Sequence, residues 1–299
     1  MAWVGDNASG DEQHRAGLNG IWKLTCTDEP ESVFVPHLAG LNLEHVFDGH
    51  VGERDLLFEP RRAPMELQKI GETEAELYQP PLPFWGVESW TRFHLIAPYF
   101  VDMDFRFRAT KPVFRYGYIG LFWASYINAP ENKSLYFWGR KEDEKQSRWV
   151  QFCTQWHYDE STVMHISETE PLPISPTHPP MLFTNFSRLR FEEPFMFGRW
   201  RDRVVAFFFD QTKGVRLTHS PSGGGLTADG KDTNPAWDFQ LIIAPYELNR
   251  EYRFRVRLVY KRWAGREEIR KLFNEWREAL EKEGQRAYRQ RFFAETLSN

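Results

Sequence analysis

Between residues 101 and 107 the chain alternates without a break. Val101, Met103, Phe105 and Phe107 are apolar, while Asp102, Asp104 and Arg106 are charged. That period of two is the signature of a strand with one face packed and one face wet. The segment before it, residues 87–96, alternates as well, and Ala97-Pro98 separates the two. There Ser89, Thr91, Phe93 and Leu95 share one face, and Glu88, Trp90, Arg92 and His94 share the other. An acid, a cation, an imidazole and an indole on one face suit the floor of a polar cleft. They also suit a solvated outer surface carrying a Glu–Arg pair.

The same short alternation recurs from residue 20 to residue 262, broken by turn signals such as Asp48-Gly49 and residues 71–73. Roughly fifteen short strands result. No βαβ rhythm and no repeat of fixed period occurs, so neither a parallel sheet nor a propeller is predicted. The expected fold is all-β: a large antiparallel β-sandwich, a supersandwich, with a C-terminal α-helix. The helix is predicted over 266–294, where Ile269, Leu272, Phe273, Trp276 and Leu280 follow helical spacing. Residues 1–17 read as a flexible lead-in, and 18–299 as one β-sandwich domain that includes the helix.

Within that frame some segments read as loops. Pro80, Pro81 and Pro83 keep 78–86 out of any central strand and make it a stiff, aromatic-bearing loop. Residues 168–181 carry Pro171, Pro173, Pro176, Pro179 and Pro180 and read as a long exposed loop or crossover. The stretch 220–225 is glycine-rich but lacks the Lys-Ser/Thr of a phosphate loop, so it reads as a surface loop or a lid. Residues 149–158 and 161–167 are expected to form a hairpin that sends His157 and His165 to opposite faces. Around residue 45, Leu41, Leu43, His45 and Phe47 alternate with Asn42, Glu44 and Val46.

Composition narrows the partners. Aromatic residues make up 16% of the 299, with 12 Trp and 25 Phe, enough to fill a core and still line a binding surface. The net charge is −4, with Arg and Glu interspersed, so neither nucleic acid nor an anionic membrane is an expected partner. No stretch has the apolar length of a membrane span, and no signal-peptide pattern opens the chain, so a cytoplasmic location is expected. Cys26 and Cys153 lie in strand-like runs and read as free buried thiols. Glu44, His45, Asp48 and His50 are of metal-ligand type, but their spacing matches neither HExxH nor an EF-hand. No metal and no cofactor is expected.

Three aromatic-polar constellations remain. The first is Glu88, Trp90, Arg92 and His94 with Trp85 before them. The second is Trp123, Tyr126 and Asn128. The third is His219 with Trp237, Asp238 and Gln240. Pyranose rings offer a C–H face to an indole and hydroxyls to Asp, Glu, Asn, Gln, Arg and His, so a small sugar or oligosaccharide is the expected ligand. Acid–base work on a sugar needs paired groups, for which Glu88, Asp238, His45, His165 and His219 are the candidates. Trp85, Trp90, Arg92, Trp123, Tyr126, Asn128, His157, Trp237 and Gln240 are the candidate binding residues. No GxSxG nucleophile elbow is present.

The succession GVESWTRFHLIAPYFVDMDFRFRA, YIGLFWASYINAP and NPAWDFQLIIAPY resembles the galactose mutarotase-like β-supersandwich in strand rhythm, over residues 20–262. That resemblance implies carbohydrate as the ligand class. The His, His and Glu pattern of the aldose epimerases does not map onto this chain. Epimerisation, glycoside cleavage and elimination therefore all stay open, as does non-catalytic carbohydrate binding.

Overall fold

The computed structural model describes residues 1–6, 19–36, 38, 40–50, 54–169 and 172–296, side chains at 54–55 and 286–296 excepted. The chain divides into two units, Met1–Lys261 and Arg262–Asn299. Among the described residues seventeen strands carry the first: β1 (Ala2–Asp6), β2 (Asn19–Leu24), β3 (Asn42–Phe47), β4 (Glu66–Lys69), β5 (Glu74–Gln79), β6 (Val87–Ile96), β7 (Phe100–Ala109), β8 (Ile119–Ala124) and β9 (Leu135–Lys141) come first. β10 (Arg148–Phe152), β11 (Thr162–His165), β12 (Phe186–Phe191), β13 (Phe195–Trp200), β14 (Arg203–Phe209), β15 (Val215–Ser220), β16 (Ala236–Ile243) and β17 (Tyr252–Arg262) follow. Two short helices, α1 (Arg54–Leu57) and α2 (Glu59–Arg62), lie between β3 and β4. The fold is all-β with one long helix, α3 (Arg266–Thr296), as the alternation predicts.

β1 and β2 form a small sheet of their own. The expected lead-in thus begins with a strand, and residues 7–17 lie outside the described residues. The large sheet runs β3-β8-β16-β15-β11-β12-β9-β13-β14-β17-β7-β6-β5-β4, with β10 on β9. Among the described pairings only β11–β12 is parallel. The expected hairpin of 149–158 with 161–167 is not formed. β10 pairs with β9, whereas β11 sits between β12 and β15.

The sheet folds back on itself, and the aromatic residues fill the space between its halves. Trp123 of β8 stacks on Phe239 of β16 at 5.3 Å and meets Phe105 of β7 edge-on at 5.0 Å. Alternation sorts β16 cleanly. Trp237, Phe239 and Leu241 enter this core, while Asp238, Gln240 and Ile242 point to the sheet's other face. On that other face a second cluster forms from Phe47, Tyr118, Phe122, Phe183 and Ile242.

β3 breaks the expected alternation. Leu43 pairs with Trp123 and His45 with Phe122, so Glu44 is an extra residue in the strand. Such a bulge shifts the side-chain phase by one. Leu41, Leu43 and Val46 consequently face the core, and Phe47 faces the second cluster. The sequence pattern had placed Glu44 and His45 on opposite faces; the bulge turns both to the same one.

In the second unit, α3 covers the helix predicted over 266–294 and extends it at its end. Its exposed flank is laced by i,i+4 pairs such as Lys271–Glu275 and Glu278–Lys282.

Candidate active site

The bulge of β3, the Asp238 position on β16 and Tyr126, two residues past the end of β8, surround a cavity of about 480 Å3. Loops close it. Trp85 comes from the proline-stiffened loop, Leu56 to Phe58 from the α1–α2 segment, and His157 and Tyr158 from the loop after β10. His178 to Phe183 come from the second proline-rich loop, and Ser222 and Gly223 from the glycine-rich one. Two of the segments read as surface loops are therefore walls of a cavity. Trp85 is anchored there by its Nε1–H, which donates to Leu56 O at 2.7 Å. The Glu59 carboxylate accepts from the backbone N–H of Phe84 and of Trp85.

The floor is a buried ionic cluster. Arg61 of α2 meets Glu44 at 2.6 Å. The Tyr126 hydroxyl donates to Glu44 Oε1 at 2.6 Å and accepts from Arg61 Nη2 at 3.1 Å. His45 Nε2 lies 3.3 Å from Glu44 Oε2, and its ring rests edge-on against Phe58. Asp238 Oδ1 accepts the Ser125 backbone N–H at 2.9 Å.

Protonation in this cluster follows from burial and charge. Loss of water pushes the Asp238 carboxyl well above its usual range, and the Glu44 charge pushes the same way against the Ser125 bond and Arg61. Burial, with the two carboxylates, likewise holds the Tyr126 phenol protonated despite Arg61. Burial, the largest single effect, would lower the Arg61 guanidinium, but Glu44, Tyr126 and Asp238 together outweigh it and raise it.

At the mouth, His50 Nδ1 bonds Asp48 Oδ1, and Asp48 is buried. A carboxylate on Nδ1 leaves Nε2 with the lone pair. His157 Nδ1 bonds Ser220 Oγ at 2.6 Å, and His178 Nδ1 donates to Pro179 O at 2.7 Å. Among the described residues no three His, Cys, Asp or Glu side chains are grouped closely enough to hold a metal ion.

The candidates from the sequence separate into three places. His45, Trp85, Tyr126, His157 and Asp238 line the cavity. Trp123, Trp237, His219 and Gln240 are buried in the framework: Trp237 Nε1 and His219 Nε2 both donate to Lys133 O, and Gln240 Nε2 donates to Thr218 and Thr162. Glu88, Trp90, Arg92, Asn128 and His165 lie elsewhere. Glu88, itself buried, accepts from Tyr78 Oη and Arg108 Nε on the face of β6 turned away from the core. Trp90 packs against Tyr78 beneath Arg106 and Arg108, and Arg92 lies 3.7 Å from Glu76. That face is a ladder of cross-strand ion pairs that continues through Asp102–Arg257 and Asp104–Arg253. It is the solvated outer surface, the second of its two readings. Asn128 bonds Glu31, and His165 bonds Ser167 and the Glu192 carbonyl. Glu88 and Asp238 are therefore not brought together. Cys26 and Cys153 are both free, but Cys153 is exposed rather than buried.

Sequence reasoning missed Glu44 and Arg61 as a pair and His50 with Asp48 as another. The clustering of Glu44, His45, Asp48 and His50 within a few residues was a visible signal; Arg61 had none.

No family model matches the chain, and no curated protein matches it in sequence. Solved structures similar to it include the following three. A candidate aldose 1-epimerase from Escherichia coli K12 is 7% identical over 81% of this chain and 92% of that one, with a TM-score of 0.45. The Slr1438 protein from Synechocystis sp. PCC 6803 is 11% identical over 74% and 76%, at 0.41. Heparan sulfate lyase HepC from Pedobacter heparinus is 7% identical over 74% of this chain and 24% of its own, at 0.39. At such identities no residue of those proteins assigns a role here, and the cavity is read on its own chemistry.

Proposed function

We propose that the cavity binds a sugar, or the end of a glycan, and performs acid–base chemistry on it. The observation that carries this reading is the pair of buried carboxyls in one cavity, Glu44 paired with Arg61 and Asp238 pushed toward its neutral form by burial. Two carboxyls held in such different surroundings can serve as base and acid. Asp238 would donate a proton to a ring or glycosidic oxygen. Glu44, steadied by Arg61 and Tyr126, would take one up or stabilise developing positive charge. Trp85 and Tyr126 contribute to the cavity wall, and His45, His50 and His157 offer nitrogens to hydroxyls. About 480 Å3 suits a ligand of one or two sugar units.

The test is a panel of free sugars, chromogenic glycosides and uronate-containing oligosaccharides, read by NMR, dye release and ultraviolet absorbance. The parent protein is expected to turn over at least one class. Asp238→Asn and Glu44→Gln are each expected to lower kcat at least 100-fold while sugar affinity stays within a few-fold. Because the acid must stay protonated, kcat should fall as pH rises through the elevated Asp238 range. Binding without turnover by the parent would leave a carbohydrate-binding protein; neither binding nor turnover would sink the sugar reading.

A further inference from the structure

A second concavity, of about 670 Å3, runs along β10 and the loop that follows it, from Arg148 to Trp156. The turn at 155–159 stands between it and the cavity. That turn is closed by Asp159 N donating to Trp156 O at 3.2 Å and by Gln155 N donating to Asp159 Oδ2 at 3.1 Å. Trp156 faces the groove, whereas the next two residues, His157 and Tyr158, line the cavity. Trp156 is 59% exposed, the most water-facing aromatic residue among the described residues. Gln151, Gln155 and Glu160 lie in the same lining and offer donors and acceptors beside the indole. Two of the groove's cations are already neutralised by their neighbours. Arg148 is paired with Glu144, and Arg188 with Glu142 and Asp143. A flat aromatic face among amides, with two of its cations paired and Asp159 and Glu160 in the same lining, matches the C–H and hydroxyl faces of an uncharged sugar better than it matches a polyanion.

We infer that this groove holds the further units of a neutral oligosaccharide whose end occupies the cavity, with Trp156 as the stacking platform. The inference rests on the sugar reading of the cavity and extends it from one unit to a chain.

Calorimetric titration with cello-, malto- and galacto-oligosaccharides of one to six units tests it. In the series that binds, Kd is expected to fall at least tenfold from one unit to four. Trp156→Ala should erase that gain and leave monosaccharide affinity within twofold, and Trp156→Phe should restore part of it. Affinity independent of chain length, no binding by any of the three series, or full affinity of Trp156→Ala for the long sugars would overturn the groove. Asp238→Asn separates the two readings. Turnover lost in that variant, with no length dependence in the parent, sinks the groove alone. Trp156-dependent binding of long chains without any turnover sinks the catalytic reading alone.

Discussion

His219 and Asp238 sit on adjacent strands, β15 and β16, and burial moves their protonation in opposite directions. His219 takes the backbone N–H of Thr154 on Nδ1 and donates from Nε2 to Lys133 O, a pattern that fits neutral imidazole. Desolvation lowers its pKa from 6.5 to about 4. In the unfolded chain the ring gains its proton near 6.5, but in the folded one only near 4. The stability it contributes is therefore fully present above 6.5 and is lost as pH falls toward about 4, by about 3 kcal/mol if the whole gap counts. Asp238 has the reverse sign, because its raised pKa makes stability greatest below 3.8 and lost as pH rises through the folded value. Urea unfolding of the parent and of His219→Asn between pH 4 and 7 measures the first slope. The variant is expected to lose most of it, and an unchanged slope would show that His219 is not its source.

At the level of single elements, β3 and β6 teach opposite lessons. β3 reads as a plain alternating strand, yet one extra residue at Glu44 rotates a carboxylate and an imidazole onto the cavity face. The energetic counterpart is Arg61, which would be a buried charge without Glu44; losing one partner of such a pair costs about 3–5 kcal/mol. β6 carries the more eye-catching set of polar residues, but its partners β5 and β7 turn them into cross-strand pairs at the surface. Exposed pairs of this kind contribute about 1 kcal/mol or less. Glu88→Gln, which keeps an acceptor for Tyr78 and lies away from the cavity, is expected to leave turnover within twofold. A collapse of turnover in that variant would return β6 to the site.

For the molecule as a whole, the aromatic abundance is spent on the interior. Trp123, Phe239, Phe254 and Phe105 interlock across the two halves of the sheet. Trp123→Ala is expected to cost about 3–5 kcal/mol in denaturant unfolding, as for other large aromatic cavities. If Trp123 were a sugar platform instead, that variant would fold normally and lose affinity. The cavity is a property of this same scale. Its lining comes from residues 44–45, 47–48, 50, 56–58, 85, 126, 157–158, 178–179, 181–183, 222–223 and 238, most of them in loops that the folded sheet brings to one face.

By itself the sequence determined the strands, because alternation of apolar and charged residues is a local pattern and the burial of one face follows from it. It also determined the helix, the proline-stiffened loops and the abundance of aromatic side chains. Asp238, His45, Trp85, Tyr126 and His157 were within its reach, as polar or aromatic residues at strand ends and in loops. Only the tertiary structure decided which of the polar strands faces a cavity and which faces water. The outcome depended on a one-residue bulge at Glu44, on an arginine delivered by a two-turn segment, and on strand neighbours far apart in the chain. None of these leaves a periodic trace, since a bulge changes phase without changing composition, and strand order is set by packing between distant segments. The same holds for Trp156: its exposure and its place beside the cavity arise from a turn whose two sides the sequence could not tell apart.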